Sequence, residues 1–356
     1  MKTLPAAAVH ALVDWFEKNA KPYLFRREPS AYSIWILEVM AQQTQIARAE
    51  ERHRRWLERF PDIRALAAAP VESVLKEWEG LGYYARARNI HRTARLVVEE
   101  RGAMPETARE LESLPGIGSY IAASIASIAH GEAVAAIDAN ARRILARLCA
   151  SPLSALRDEE ARPYIEDMFR YRSAARVNEA LMELGEQICR RQNPACAICP
   201  LAPWCRAARA GDAESYTRLA AKQYQKLDLL VYCVLRENEI LAEKVPGGEL
   251  WAGLWRLPYI YASAASADAR NAEALGGFAA LQARAGLDDL SDSIRALEQR
   301  VRHSHTKYRI TMYPFMAAAG QTRPLPENMA WHNLCTGSER AFPSAFLKVM
   351  ALLSQE

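Results

Sequence analysis

Four cysteines fall in the spacing C-x6-C-x2-C-x5-C, at Cys189, Cys196, Cys199 and Cys205. Thiolates are soft ligands, and four of them suit zinc or an iron–sulfur cluster. Pro194, Pro200 and Pro203 stiffen the loop between them. A zinc ribbon favours two C-x2-C pairs, and only one pair is close here, which disfavours zinc without excluding it. Cys149, Cys233 and Cys335 have no partner pattern and read as structural. A second constellation is Leu114-Pro115-Gly116-Ile117-Gly118. Two glycines one residue apart let the chain turn tightly and expose N–H groups at the start of the next helix, which suits a phosphate. A plain αα-hairpin is an equal alternative. Twenty residues after Gly118 comes Asp138, which also reads as a helix N-cap. Glu38, in Ile36-Leu37-Glu38-Val39-Met40, is a carboxylate inside an apolar helix, where burial raises its pKa.

The elements that position these groups are helices in residues 1–205. Ala31–Arg48, Val71–Glu79, Ala85–Arg101, Ser119–His130 and Asn140–Ala150 repeat apolar residues every three to four positions, with Gly or Pro at the joins. Residues 206–226 are polar and basic and read as a linker. From residue 227 the texture changes. Leu227–Leu235 and Ile240–Val245 read as a β-hairpin, Val301–Tyr313 as a later strand pair and Pro343–Leu353 as a closing helix. The expected fold is therefore multidomain, an all-α domain over 1–205 and an α/β domain over 227–356.

The chain has 356 residues and a net charge of +4. The excess lies in residues 1–225, with 32 basic against 28 acidic residues; the rest is neutral. So weak an excess does not identify a nucleic-acid binder, and a DNA-facing surface has to be a local patch of the first part. No run of 18 apolar residues occurs, and the N-terminal apolar stretch is broken by Asp14, Glu17 and Lys18. The expectation is an intracellular protein without a membrane span.

The stretch from Leu114 to Ala129 (LPGIGSYIAASIASIA), the stretch from Ala136 to Leu148 (AIDANARRILARL) and the four-cysteine loop together resemble the helix-hairpin-helix DNA glycosylases of the endonuclease III superfamily. Within it they look most like the MutY family, as do WILEVMAQQTQIARAEERHRRWLERFP, WEGLGYYARARNIH and NEALMELGEQIC. The resemblance implies that Cys189, Cys196, Cys199 and Cys205 bind a [4Fe–4S] cluster and that the helical part forms two lobes around a DNA cleft. It implies a monofunctional glycosylase that removes adenine mispaired with 8-oxoguanine or G in base excision repair. Glu38 then protonates the adenine ring, Asp138 stays ionised beside the sugar C1′, and Tyr120 and Asn140 position Asp138 and the sugar. Arg26, Glu179 and Met182 match positions lining the adenine pocket. Gln43 and Tyr83 match residues inserted into the base stack, and Gly116 and Gly118 belong to the DNA-binding hairpin. Tyr23-Leu24-Phe25-Arg26 departs from the family's Leu-Pro-Trp-Arg. Tyr120 stands where lyase members carry a Schiff-base Lys, so an efficient β-lyase step is not expected.

GGELWAGLWRLP and the segment after it look like the MutT-like (Nudix-like) domain that this family appends. The hydrolase run Arg-Glu-x-x-Glu-Glu is absent from residues 226–356, so the domain is expected to read DNA. The family's Phe-Ser-His lesion loop aligns with His305-Thr306-Lys307, and a shifted register offers His303-Ser304-His305. Ser304, His305 and Thr306 are therefore the candidate lesion contacts. The implied partner is double-stranded DNA with A:8-oxoguanine or A:G mispairs, bound by a monomer in the bacterial cytoplasm at the nucleoid. Two other readings are a bifunctional endonuclease III-like glycosylase/lyase and a non-catalytic iron–sulfur DNA-binding protein. Tyr120 opposes the first, and the presence of both Glu38 and Asp138 opposes the second.

Overall fold

The computed structural model describes residues 3–27, 29–42, 46–217, 223–264, 266–287, 294–320, 324–334 and 340–353. The chain divides into two compact units, one of residues 1–69 with 89–220 and one of residues 70–88 with 221–356. The first holds α1 (Ala6–Asn19), α2 (Leu24–Arg27), α3 (Ala31–Ala41), α4 (Ile46–Arg59) and α5 (Ile63–Ala68). After α6 (Val71–Glu77) and α7 (Ala85–Glu100) come α8 (Ala108–Glu112), α9 (Ser119–His130), α10 (Ala139–Cys149), α11 (Asp158–Met168), α12 (Ala174–Gln187) and α13 (Arg206–Arg209).

Two of these helices explain the placement of the carboxylates. α3 is apolar on every side, with Ile34, Trp35, Ile36, Leu37, Val39 and Met40 all buried, so it lies inside the unit rather than on it. Glu38 is the one carboxylate on it. The sequence pattern ran this helix on to Arg48, but Gln42 leaves helical geometry and ends it. α10 is amphipathic and starts on Asp138, whose side chain accepts from Ala141 N. Its apolar face (Ile144, Leu145, Leu148) meets Leu12, Val13 and Phe16 of α1 and Val177, Leu181 and Leu184 of α12 in one core.

The second unit was expected to begin at residue 227, after a linker. The structure instead assigns residues 70–88 to it. Tyr84 donates to Phe342 O, Glu79 accepts from Phe342 N and Arg88 donates to Ala252 O, so side chains of this early segment close backbone groups of the late one. The segment 206–226 is also more structured than a linker, since it contains α13, a 3₁₀ turn at Ser215–Thr217 and the start of the first strand.

That strand is β1 (Gln225–Arg236), followed by β2 (Glu239–Lys244), β3 (Trp255–Arg256), β4 (Tyr259–Tyr261), α14 (Ala267–Ala285), β5 (Arg295–Ala296), β6 (Val301–His305), β7 (Tyr308–Ala318), β8 (Met329–Asn333) and α15 (Ser344–Leu353). Among the described residues these strands make one mixed sheet. β1 and β2 form the expected hairpin, and β1 also runs parallel to β7 from Gln225↔Tyr308 to Leu235↔Ala318. Leu230, Tyr232 and Val234 of β1 pack against Ala274, Phe278 and Leu281 of α14. β6 and β7 pair antiparallel with His305 opposite Tyr308, leaving Thr306 and Lys307 as a two-residue turn. Among the described residues no helix is long and apolar enough to cross a membrane.

Candidate active site

A cavity of about 530 Å³ opens in the first unit, and Glu38, Tyr120, Asp138, Asn140, Arg26 and Met182 all face it. The residues come from α2, α3, α9, α10 and α12, so sequence positions far apart meet on one wall. Phe25 and Gln42 line it as well.

The two carboxylates differ in the partners they are given. Glu38 Oε2 accepts from the Tyr120 hydroxyl at 2.7 Å, and Oε1 accepts from the Ser124 hydroxyl at 2.6 Å. Asp138 Oδ1 accepts from Ala141 N at 2.7 Å, and Oδ2 accepts from Asn140 Nδ2 at 2.7 Å. A hydroxyl can turn and accept, whereas an N–H only donates. Glu38 therefore stays satisfied whether or not it holds a proton, while a protonated Asp138 wastes an N–H donor. Burial pushes the Glu38 carboxyl above the usual carboxylate range, with the Asp138 charge adding to the shift and the two hydroxyls opposing it. Burial also pushes Asp138 up, against Ala141 N–H, the Arg143 charge and Asn140. The expected raising of Glu38 is matched, and Asp138 feels the same pressure, countered by a different kind of donor.

Asn140 is fixed from behind. Its Oδ1 accepts from Arg143, which also donates to Gly185 O and Cys189 O. A Cβ on Gly185 would stand 2.4 Å from Asn140 Cβ, so that helix position has to be glycine for Asn140 to hold its place. The hairpin glycines are not equivalent. Gly116 has φ +79° and a Cβ there would lie 2.7 Å from Asn89 Cβ, whereas Gly118 is extended with open space around it. No side chain caps α9 at Gly118, in keeping with a helix start that presents its N–H groups outward.

Arg26 reaches the cavity from α2. Its guanidinium pairs with Glu179 at 3.1 Å and Glu183 at 2.7 Å and lies over the Phe16, Tyr23 and Phe25 rings. Glu179, expected on the adenine wall, sits behind it, buried between Arg26 and Arg176; Glu183 and Glu186 face the cavity instead. Gln43 lies outside the described residues. Sequence reasoning missed Ser124, Glu183, Arg143 and Gly185. The signal for Ser124 was its spacing, four residues after Tyr120 on one face of α9.

Cys189, Cys196, Cys199 and Cys205 are free thiols packed beside the α1–α10–α12 core. Cys199 and Cys205 each feel the charges of Cys189 and Cys196, so the four converge. Burial pushes the Cys199 thiol up to about 12, a cost that ligation of a metal would remove. Arg147, which is buried, donates to Cys189 Sγ at 3.2 Å and to Arg190 O at 2.7 Å, pinning the loop. Among the described residues no three His, Cys, Asp or Glu side chains close around a single-ion site. The donor set is four thiols with no imidazole or carboxylate among them, chemistry that suits an iron–sulfur cluster.

The remaining candidates lie in the second unit. Ser304 and Thr306 are exposed, while His303 and His305 are half-buried, as strand alternation requires. The three expected lesion contacts thus do not share a face. The His305 ring stacks on Tyr83 at 5.8 Å and lies 6.1 Å from Trp251. Burial and the nearby Lys348 and His305 charges lower His303 to about 4, and burial lowers His305. Tyr83, Trp251 and Thr306 all have positive φ, a conformation such residues rarely adopt.

Residues 36–164 match the HhH-GPD superfamily base excision DNA repair proteins, and residues 230–352 match the NUDIX domain. The chain is 38% identical over 210 residues to the adenine DNA glycosylase of Homo sapiens, covering 55% of this chain and 38% of that one. To that of Arabidopsis thaliana it is 32% identical over 307 residues, 73% of this chain and 49% of the relative. To that of Mycolicibacterium smegmatis it is 34% identical over 193 residues, 53% of this chain and 66% of the relative. The matched part spans about two-fifths of the length of the mammalian relatives. A thermostable thymine-DNA glycosylase structure matches with TM-score 0.52 and 21% identity over 57% of this chain and 95% of that one. A non-covalent endonuclease III–DNA complex matches with TM-score 0.52 and 21% identity over 59% and 99%, a likeness of fold. Together these matches support a MutY-type helix-hairpin-helix glycosylase.

Proposed function

We propose that the protein hydrolyses the N-glycosidic bond of adenine mispaired with 8-oxoguanine or G in duplex DNA, as a monomer in the cytoplasm at the nucleoid, and has no efficient lyase step. The observation that carries this reading is the pairing of Glu38 with hydroxyls and Asp138 with N–H donors across one cavity.

In this reading the adenine leaves the stack and enters the cavity. Protonated Glu38 donates to a ring nitrogen, so the electron pair of the breaking C1′–N bond passes into a neutral leaving base. The Asp138 carboxylate, held by Ala141 N and Asn140, stabilises the cationic sugar or bonds transiently to C1′. Water then adds at C1′ and gives up its proton to a carboxylate. Tyr120 is no substitute for a Schiff-base amine, and its hydroxyl is occupied with Glu38. Arg26 with Glu183 and Met182 would flank the base. Cys189, Cys196, Cys199 and Cys205 would hold the [4Fe–4S] cluster, which when bound supplies a closed loop against α10 rather than chemistry at C1′. Ser304 and Thr306, on the exposed face, would contact the lesion strand, with Tyr83 and His305 behind them.

Single-turnover cleavage of three duplexes tests the reading: A opposite 8-oxoguanine, A opposite G, and thymine glycol opposite A. Release from the first two and not the third is expected. Release only from the third would transfer the protein to oxidised-pyrimidine repair.

A further inference from the structure

On α4, Glu50 and His53 stand three residues apart, on one face of the helix. Glu50 Oε1 accepts from Leu24 N at 3.0 Å. His53 is fully buried, and its Nε2 lies 2.9 Å from Ser33 O, a carbonyl that can only accept, so Nε2 carries the proton and Nδ1 is a bare acceptor. Among the described residues, Glu50 Oε2 and His53 Nδ1 are both buried without a partner. Burial lowers the His53 pKa against the opposing Glu50 charge, which keeps Nδ1 bare.

We propose that Glu50 is a positioning residue that sets α2, and with it Phe25 and Arg26, against the adenine cavity. The argument starts at Leu24. This is the first residue of α2, whose N–H has no partner within the helix. The resembled family's Leu-Pro-Trp-Arg segment has Pro at this position, and Pro has no N–H to satisfy. Leu24 adds a donor, and Glu50 supplies its acceptor. α2 is only four residues long and does not hold itself, and Arg26 lies two residues from the bond. The other end of the arrangement is α3. His53 ties α4 to Ser33, five residues before Glu38. One helix face thus references both the base-holding and the acid-bearing helices.

The consequence for adenine release rests on the proposed function; the brace itself does not. Deuterium uptake over residues 21–27 tests the brace. Glu50→Leu leaves the half-buried Leu24 N–H unpaired and is expected to raise uptake there about tenfold or more. Glu50→Gln is expected to leave it unchanged, because the amide oxygen still accepts from Leu24 N. In single turnover on A opposite 8-oxoguanine, Glu50→Leu is expected to slow release about tenfold, with duplex affinity held within about twofold. Leu24→Pro added to Glu50→Leu is expected to recover most of that rate, since it removes the unpaired donor. Unchanged uptake in Glu50→Leu, Glu50→Gln behaving like Glu50→Leu, or a double variant no faster than Glu50→Leu overturns the proposal. Should Glu50→Leu not fold, recovery of folding in the double variant supports the brace and its absence contradicts it. If the wild type releases no adenine, the proposed function fails and the uptake comparison still decides the brace.

Discussion

The Tyr120 hydroxyl donates to Glu38 Oε2 at 2.7 Å. The residue standing where lyase members of the resembled family carry an amine is thus engaged with the carboxylate proposed as the acid. Trapping with borohydride follows directly. Wild-type protein with an A:8-oxoguanine duplex should give little covalent adduct, and abundant adduct would revive the bifunctional reading.

A pH dependence follows from Glu38. Its folded pKa lies above the usual carboxylate range, so the proton-bearing form persists to higher pH than for an exposed glutamate. Single-turnover rates should fall as pH rises through that raised pKa. A carboxyl with a folded pKa above its unfolded value contributes stability that is present at low pH and lost as pH rises through the folded pKa. Glu38→Gln should therefore raise the melting temperature at neutral pH, by roughly 2–4 °C for each kcal/mol relieved. A lower melting temperature in calorimetry would contradict the electrostatic account of this site.

Ser124→Ala removes a hydrogen bond that favours ionised Glu38. The alkaline limb of the pH–rate profile should move up by about one to two pH units, since a bond to a charged group is worth roughly 1.5–3 kcal/mol and one unit about 1.4. A limb that stays in place would mean that Ser124 does not act on the titrating group.

The sequence carried the chemistry better than it carried the assembly. Four cysteines, one hairpin and two carboxylates were legible because each lies in a short local pattern. Ser124, Glu183 and Arg143 were not, because each matters through a partner from another helix or turn. The inward turn of His305 follows from strand period two, which shows only once β6 and β7 are in register. Residues 70–88 read as helix from their pattern, and nothing in that pattern tells that Tyr84 bonds to Phe342.

Ser304 and Thr306 share the exposed face of β6 and its turn. Their joint replacement by Ala should lower the preference for A opposite 8-oxoguanine over A opposite G by about thirtyfold, equivalent to two hydrogen bonds of roughly 1 kcal/mol each. Competition between the two duplexes reads this ratio, and an unchanged ratio places lesion recognition elsewhere.

Purified protein should contain iron and sulfide and absorb broadly in the visible. Cys199→Ser should lower stability or DNA binding more than the rate of the bond-breaking step. Zinc without iron by elemental analysis would contradict the cluster assignment.

The central claim is that Glu38 and Asp138 divide acid and anion roles across one cavity. Glu38→Gln and Asp138→Asn, each measured by single-turnover base release and by duplex binding, test it most directly. Release should fall roughly 10²–10⁴-fold in each, with duplex affinity close to wild type. Wild-type release from either variant would contradict the role given to that residue.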